Sequence, residues 1–205
     1  MTSSTEFLPT GYQKVRPGQI AAVVTCLEMT ERPKSRPSRP LDRPLVLERV
    51  ANPDLAAYRS LFSRIGQDYL WFSRIVMPDD ELAATLANPK VEVSILKDGR
   101  REIGLMELDF RVEGVCELAF FGLVPEAIGG GAGRYMMGQA LARAWSQPIK
   151  RLWVHTCNFD HPGAIGFYVK SGFRPYAFEV EIADDPRLSG KLPRHAAPHV
   201  PLIEA

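Results

Sequence analysis

Four glycines stand within five positions of this sequence, at Gly129, Gly130, Gly131 and Gly133, with Ala132 before the last. They follow an apolar run and precede a run with helical spacing. Because glycine has no Cβ, the backbone here can approach a ligand closely, and the first amides of the following helix have no partner inside that helix. Such a turn can hold a pyrophosphate or act only as a hinge, and the run alone fits both.

Two well-known phosphate loops do not match this run. Arg134 and Tyr135 stand where a P-loop needs lysine and a hydroxyl side chain. The dinucleotide fingerprint belongs to the first strand-to-helix turn of a fold, whereas this run follows three strands that alternate like antiparallel ones.

Carboxylates and a tyrosine supply candidate acid and base groups. Glu117 lies in the middle of the apolar run "GVCELAFFGL", where burial would raise its pKa toward the range of a general base. Glu107 and Asp109 alternate on the preceding strand and could attract a cationic amine, although all three carboxylates could equally lie on a solvated face. Tyr168 could donate a proton or simply pack as a helix residue.

Two segments, "ELAFFGLVPEAIGGGAGRYMM" and "HPGAIGFYVKSGF", resemble the core motifs of the GNAT superfamily, the acyl-CoA-dependent N-acetyltransferases. The resemblance covers about residues 45–182. The matching positions are Leu123-Val124-Pro125 at the strand end, Gly131-Ala132-Gly133 in the turn, and Ala164, Tyr168, Gly172 and Phe173 in the second motif. Two positions depart from it, since Ile128 replaces the usual arginine or glutamine and His161 replaces the usual asparagine.

The resemblance implies a fold of the α/β (α+β) class, with a GNAT-like mixed, mainly antiparallel central sheet flanked by helices and an extra N-terminal strand-like segment. It implies acetyl transfer from acetyl-CoA to an amine, without a metal. Glu117 is then the base or water-orienting group, and Tyr168 is the acid. The residues expected to contact CoA are Phe121, Leu123, Val124, Gly129, Gly130, Gly131, Ala132, Gly133, Arg134, Asn158 and His161.

The acceptor pocket of such enzymes is lined by the loop that is here "GQDYLWFSRIVMP". Trp71, Arg74 and Glu107 are the expected substrate-binding residues, because Arg74 could meet a substrate carboxylate in a bidentate pair. Equally, the aromatic residues could cap the core while Arg74 forms a local ion pair. His155 is expected to pack on the sheet. A small-molecule amine is the expected acceptor, and a protein lysine or N-terminus is the alternative acceptor. The alternative function is that of a non-catalytic acyl-CoA-binding regulatory module.

Hydrophobic periodicity predicts the elements that position these groups. Strands are expected at 19–29, 45–50, 115–124, 149–157 and 173–182, with a hairpin at 91–110; helices are expected at 52–66, 78–88, 134–146 and 162–172. The hairpin predicts an antiparallel middle of the sheet, and the helix after the glycines predicts a right-handed parallel crossover. The first long helix is expected to open at Asn52, with Pro53 in its first turn.

The predicted organisation is an N-terminal extension (1–44) whose last part, 31–44, is a linker rich in proline and arginine, an acetyltransferase domain (45–183) and an irregular tail (184–205). A net charge of +1 favours neither nucleic acid nor an anionic membrane. Three widely separated cysteines favour free thiols in a reducing compartment. A cytoplasmic protein is expected, without nucleic-acid or membrane partners. A homodimer is left open.

Overall fold

The computed structural model describes residues 7–34 and 44–204, so most of the expected linker lies outside the described residues. The strands are β1 (Gln19–Met29), β2 (Leu45–Arg49), β3 (Val91–Asp98), β4 (Arg101–Asp109), β5 (Val115–Leu123), β6 (Arg151–Cys157) and β7 (Arg174–Asp184). The helices are α1 (Leu55–Gly66), α2 (Ser73–Val76), α3 (Asp79–Leu86), α4 (Ala132–Ala144) and α5 (Ala164–Ser171). None of the helices in these ranges is long and apolar enough to cross a bilayer.

All of these strands form one mixed sheet in the order β2-β3-β4-β5-β6-β1-β7. Neighbouring strands are antiparallel except β5 and β6, which are parallel and are joined through α4. The predicted fold class, with a mainly antiparallel sheet and a parallel crossover after the glycines, is confirmed.

Strand β1 lies inside the sheet, between β6 and β7. It pairs with β6 from Val24 to Met29 and with β7 from Gln19 to Glu28. Leu27 on this strand has no exposed surface and belongs to the main hydrophobic core. The expected boundary at residue 44 therefore does not separate this strand from the domain, because β1 is paired on both sides within the sheet.

Helix α1 begins later than the sequence suggests. The Asp54 side chain accepts a hydrogen bond from the Ala57 amide at 2.8 Å and caps the helix. Asn52 instead has a positive φ of 50°, which asparagine tolerates better than most residues. The cap therefore lies two residues after the expected one, because aspartate at 54 can reach the third amide of the helix and asparagine at 52 cannot.

The chain after β7 has no regular helix or strand up to residue 204, as predicted, but one arginine organises it. Arg187 is buried, pairs with Asp185 at 2.7 Å and donates to the carbonyls of Ala196, Ala197 and Val200. These bonds satisfy a charged group that would otherwise be costly to bury. The tail thereby packs in a small apolar cluster containing Ile20, Ala22, Leu70, Phe159, Leu192, Ala196, Ala197 and Val200.

Removal of residues 1–30 should abolish cooperative folding rather than trim an extension. Strands β6 and β7 would each lose the partner that lies between them, leaving two unpaired edges and an opened core. Thermal denaturation followed by circular dichroism measures this effect. Removal of residues 1–14, which end before β1, is the matched control and should leave the melting temperature within a few degrees. A chain lacking β1 that melts like the full chain would contradict the assignment.

Candidate active site

A cleft opens between β5 and β6 because these strands pair only where they begin. Their register joins Val115 to Arg151, Cys116 to Leu152 and Glu117 to Trp153, and then stops. Farther along, β5 stays with β4 and β6 stays with β1, and the cavity between them has a volume of about 430 Å³. Among the described residues, the β6-facing backbone of 118–123 has no strand partner, so its polar groups can bond to a ligand.

An irregularity in the β4–β5 ladder lies beside this opening. Glu107 pairs with Phe120 and Leu108 with Leu118, so Ala119 is an extra residue on β5. Such bulges bend a strand and re-aim its side chains. Of the expected CoA contacts on β5 and just after it, Phe121 and Leu123 line the cleft. Val124 does not line it, because it is buried and its amide donates to the Ile103 carbonyl at 3.0 Å.

The glycine turn leads from the rim of the cleft into α4. Gly129 and Gly131 have φ values of 92° and 87°, which favour glycine. A Cβ at Gly129 or Gly130 would meet no atom within 4 Å, so a ligand can reach the backbone there. Ala132 begins α4 without a side-chain cap on its outward amides, and these amides fit a pyrophosphate. Gly133, Arg134 and Ile128 complete the segment, and Ile128 lines the cleft.

Glu117 lies on the cleft wall where β5 and β6 separate. Burial, reinforced by the negative charges of Asp109 and Glu107, raises the pKa of Glu117 to about 7. Its Oε1 lies 3.7 Å from Nδ1 of His155. A carboxyl group with this pKa can accept a proton near neutral pH. The half-exposed ring of His155 lies against Trp153 on the sheet, with 5.8 Å between the ring centres, and it also lines the cleft beside Glu117.

Arg74 and Glu107 form a buried ion pair instead of presenting free charges to a substrate. The guanidinium contacts the Glu107 carboxylate, whose other oxygen accepts a hydrogen bond from the Tyr58 hydroxyl at 2.8 Å. Glu107 has no exposed surface and does not line the cleft, whereas Arg74 lines it and lies 5.0 Å from the centre of the Phe120 ring. Of the two roles open to Arg74, the local ion pair is therefore the one observed.

Trp71 is held in a slot between two glycines. A Cβ at Gly66 would lie 2.3 Å from Trp71, and one at Gly122 would lie 2.9 Å from its ring, so both positions require glycine. The indole N–H donates to Asp160 at 2.9 Å, and Asp160 also accepts from the Thr156 hydroxyl at 2.7 Å. The aromatic loop before α2 is thus tied to the end of β6. The sequence places Asp160 next to His161 in the second motif, but its contact with Trp71 spans 89 residues and leaves no local pattern.

Tyr168 lines the cleft, and its ring packs against Phe121. Burial raises the pKa of Tyr168 above its ordinary value, so the hydroxyl is protonated at neutral pH and can donate. His161 also lines the cleft, and its Nδ1 accepts the Gly163 amide at 3.0 Å. Asn158 is not brought there, because its Oδ1 accepts the Val23 amide at 2.7 Å and thereby extends the pairing of β1.

The charge balance of the cleft is acidic. The two arginines on its wall are already paired, Arg74 with Glu107 and Arg111 with Asp109. The carboxylates of Glu117, Asp160 and Glu181 also line it, and within the described ranges none of them lies in an ion pair with lysine or arginine. In the same part of the chain, no group of three or more potential metal-ligating side chains converges.

The comparison with known protein families agrees with this geometry. The family described as "Acetyltransferase (GNAT) family" matches residues 57–173, more than half of the chain. The chain belongs to the GNAT acetyltransferase family. The match begins within α1 and ends just before β7, and so includes β5, β6, the glycine turn and Tyr168. A comparison with curated protein sequences finds no match.

Several solved structures share the fold at low sequence identity. A GCN5-related N-acetyltransferase from Sphaerobacter thermophilus has a TM-score of 0.58 at 12% identity, covering 93% of this chain and 55% of that one. A functionally unknown conserved protein from Staphylococcus epidermidis gives 0.55 at 13%, covering 82% and 63%. An aminoglycoside acetyltransferase from an uncultured soil metagenomic sample gives 0.51 at 16%, covering 62% and 87%. The chain thus spans less than two thirds of the length of the Sphaerobacter and Staphylococcus proteins. At these identities, the three structures support the shared fold and nothing about the substrate.

The Glu107→Ala substitution should destabilise the protein strongly, by about 3 kcal/mol or more, because it leaves Arg74 buried without its counter-charge. Chemical denaturation measures the free energy of unfolding. The double variant Arg74→Met with Glu107→Leu is the matched control, since it removes both charges and keeps apolar volume; it should recover most of the loss. Equal losses in the two variants would show that the ion pair does not hold this loop.

Proposed function

We propose that the protein transfers the acetyl group of acetyl-CoA to the primary amine of a small molecule. One observation carries this proposal: the cleft that holds a half-buried carboxyl group, whose pKa burial raises to about 7, is also lined by Ile128, directly before a glycine turn suited to pyrophosphate. An anion cradle next to a cleft that contains a proton acceptor is what transfer from a CoA thioester to an amine needs.

The amides of Gly129 to Arg134 would hold the pyrophosphate without help from a side chain at Ile128. The free backbone edge of residues 118–123 would hold the extended arm that leads to the thioester. Acetyl-CoA, when bound, supplies the acetyl group that passes from sulfur to the amine nitrogen. Ala119 and Phe121 lie on the cleft side of β5, where their polar groups can orient such a chain.

Glu117 would accept the proton that the amine must lose to become a nucleophile. Its raised pKa suits this task, because the ionised carboxylate is present near neutral pH and is basic enough to take a proton. Tyr168, which remains protonated, would supply a proton to the departing sulfur, and its place on α5 sets it against Phe121 on β5. Glu117 would thus take the proton of the amine, and Tyr168 would give a separate proton to the CoA sulfur.

The charge balance supports a cationic, partly apolar acceptor. Glu181 and Asp160 add negative charge to the cleft that contains Glu117, and Trp71 and Phe120 add apolar surface. Both arginines are already engaged by carboxylates of the chain, which disfavours an acceptor that carries a carboxylate of its own. A small amine with an aromatic or aliphatic body fits this cleft better than an amino acid.

Release of free CoA thiol tests the proposal directly. With acetyl-CoA and a panel of amines, the protein should release thiol fastest with a monocationic aromatic or alkyl amine, and at least about tenfold faster than with the matching α-amino acid. Stabilisation by CoA without thiol release across the panel would favour the non-catalytic acyl-CoA-binding module. Acetylation of peptides alone would favour a protein acceptor.

The glycine turn has its own test. The Gly131→Val variant should weaken CoA binding by about tenfold, because a branched side chain is strained at this positive φ and fills space next to the amides. Isothermal titration with CoA measures the affinity. Gly138→Ala in the same helix is the matched control, since a Cβ there meets no atom within 4 Å. Unchanged affinity in Gly131→Val would remove this turn from the CoA site.

Glu117 predicts how rate and stability depend on pH. As the base acts in its ionised form, kcat/KM should rise with pH and level off above about 7. The Glu117→Gln variant should lose this titration and fall by on the order of a hundredfold. The pKa of Glu117 is 4.5 in the unfolded chain and about 7 in the folded one, so the folded state keeps its proton to a higher pH. The free energy of unfolding therefore decreases as the pH rises from 4.5 to about 7. Glu117→Gln should therefore melt higher than the unsubstituted protein at pH 8, and equally at pH 4.

The matched control for these measurements is Glu113→Gln, an equivalent change in the exposed turn before β5. It should alter neither the rate profile nor the melting temperature. A pH profile that persists in Glu117→Gln would assign the titration to another group and remove Glu117 from the role of base.

A further inference from the structure

The irregular tail after β7 supports one side of the cleft without lining it. The small apolar cluster that contains the tail also has members elsewhere in the chain, and all of these line the cleft. Among the described residues 185–204, none lines the cleft, although four of them are buried in this cluster: Leu192, Ala196, Ala197 and Val200. The cluster members that line the cleft are here called the apolar wall, and they are Ile20, Ala22, Leu70, Phe72, Cys157, Phe159 and Ala183.

The apolar wall belongs to the acceptor side of the cleft. Leu70 and Phe72 flank Trp71, which is an expected substrate-binding residue. The wall comes from β1, β7, the loop before α2 and the end of β6, whereas the glycine turn continues from β5 into α4. The residues expected to contact CoA all lie within the described ranges, and none of them belongs to the wall. A displaced wall should therefore affect the acceptor before it affects CoA.

Leu70 links the tail to the position of Trp71. Its backbone is left-handed, with a φ of 54° and a ψ of 40°. A leucine in this conformation is strained, and such strain persists only where the surroundings hold the residue. The surroundings here include the tail, because the buried Leu70 side chain lies in the same cluster as Leu192 and Val200. The tail contacts thus help to fix the direction in which the chain enters Trp71.

One buried arginine holds the tail in place. The guanidinium of Arg187 bonds to both carboxylate oxygens of Asp185, and Nη1 donates to the Val200 carbonyl at 2.8 Å and to the Ala196 carbonyl at 3.2 Å. Its Nη2 also donates to the Pro201 carbonyl at 3.3 Å. Only a planar fork with five N–H donors can serve so many acceptors at once. The turn that carries Val200 is thereby wrapped around a single side chain.

The same tail is bonded to the backbone of the wall and of the segment before β1. Nε2 of His199 lies 3.3 Å from the carbonyl oxygen of Phe159. The Gly18 amide donates to the Ile203 carbonyl at 3.1 Å, directly before the strand that carries Ile20. A tail released from Arg187 would therefore lose its hold on two separate parts of the apolar wall.

We propose that Arg187 is a positioning residue for the acceptor: it holds the tail against the apolar wall and so fixes the wall and the Trp71 loop. This inference rests on the proposed function, since it requires an amine acceptor in this cleft. Arg187 touches no reacting atom. Its loss should therefore weaken binding of the amine equally in the ground state and in the transition state, which raises KM and leaves kcat unchanged.

The Arg187→Lys variant tests the proposal, because lysine keeps a positive charge beside Asp185 but lacks the fork. With acetyl-CoA and phenethylamine, KM for the amine should rise by about tenfold and kcat should stay within about twofold. The affinity for CoA, measured by isothermal titration, should not change. Arg194→Lys is the matched control, since it makes the same change at an exposed arginine of the same tail, and it should alter none of these quantities. A change in CoA affinity or in kcat as large as that in KM would overturn the positioning role.

A second variant tests the apolar contact with Arg187 left in place, and it serves also if Arg187→Lys does not fold. Leu192→Ala removes buried side-chain volume behind the wall. It should raise KM for phenethylamine by about tenfold. Leu192→Met nearly conserves the volume and should keep the original KM. An unchanged KM in Leu192→Ala would overturn the proposal.

Fluorescence of Trp71 gives a reading that does not depend on turnover. The chain has three tryptophans, so a background with Trp145→Phe and Trp153→Phe leaves Trp71 as the only indole. In this background, Arg187→Lys and Leu192→Ala should each raise the acrylamide quenching constant by about twofold, because the loop opens more often. Arg194→Lys should not change it. Absence of thiol release with every amine would reject the proposed function, whereas unchanged quenching in both tail variants would reject this inference.

Discussion

The early separation of β5 and β6 is the constraint on which the rest of the site depends. Two parallel strands that pair at their start would normally continue to pair, because unpaired backbone groups are costly to bury. They can separate here because each has another partner: β4 holds β5, and β1 holds β6 from Val24 to Met29. The free edge of β5 can then bind an extended ligand. The N-terminal strand therefore helps to shape the cleft, and its residues Ile20, Ala22 and Val24 also line it.

Two long-range polar contacts hold the walls of this gap in place. The Trp71 indole reaches Asp160 across the cleft, and the Arg74 guanidinium reaches Glu107 beneath Phe120. A buried ion pair gains little stability over an apolar pair of the same size. The ion pair instead fixes a position, because the guanidinium of Arg74 is bound to the carboxylate of Glu107 and holds the loop that carries it. The aromatic residues of the cleft are therefore held by charged groups that are already bonded within the protein.

Features that depend on local sequence were predicted well. The apolar and polar pattern predicted strands at the places of all seven, including β1, and it placed the glycine turn between β5 and α4 because strand, turn and helix follow one another directly. The roles given to this turn and to Glu117 stay predictions. Features that depend on distant partners were not. Arg74 has two chemically reasonable uses, and only the position of Glu107, 33 residues away, decides between them. Asn158 was expected to contact CoA, but its side-chain oxygen accepts a hydrogen bond from the Val23 amide.

The place of β1 shows why sequence order misleads in this fold. Val24 pairs with Cys157, so 133 residues separate the two partners of a central ladder. No local pattern records such a contact, and a proline-rich segment next to the strand suggests an appendage. The same distance has a physical consequence, because long-range pairing is the slowest and entropically most expensive to form. The strand that completes the cleft wall is the one whose pairing closes the longest loop. We infer that the open cleft forms with the whole sheet and does not exist as a separately stable part.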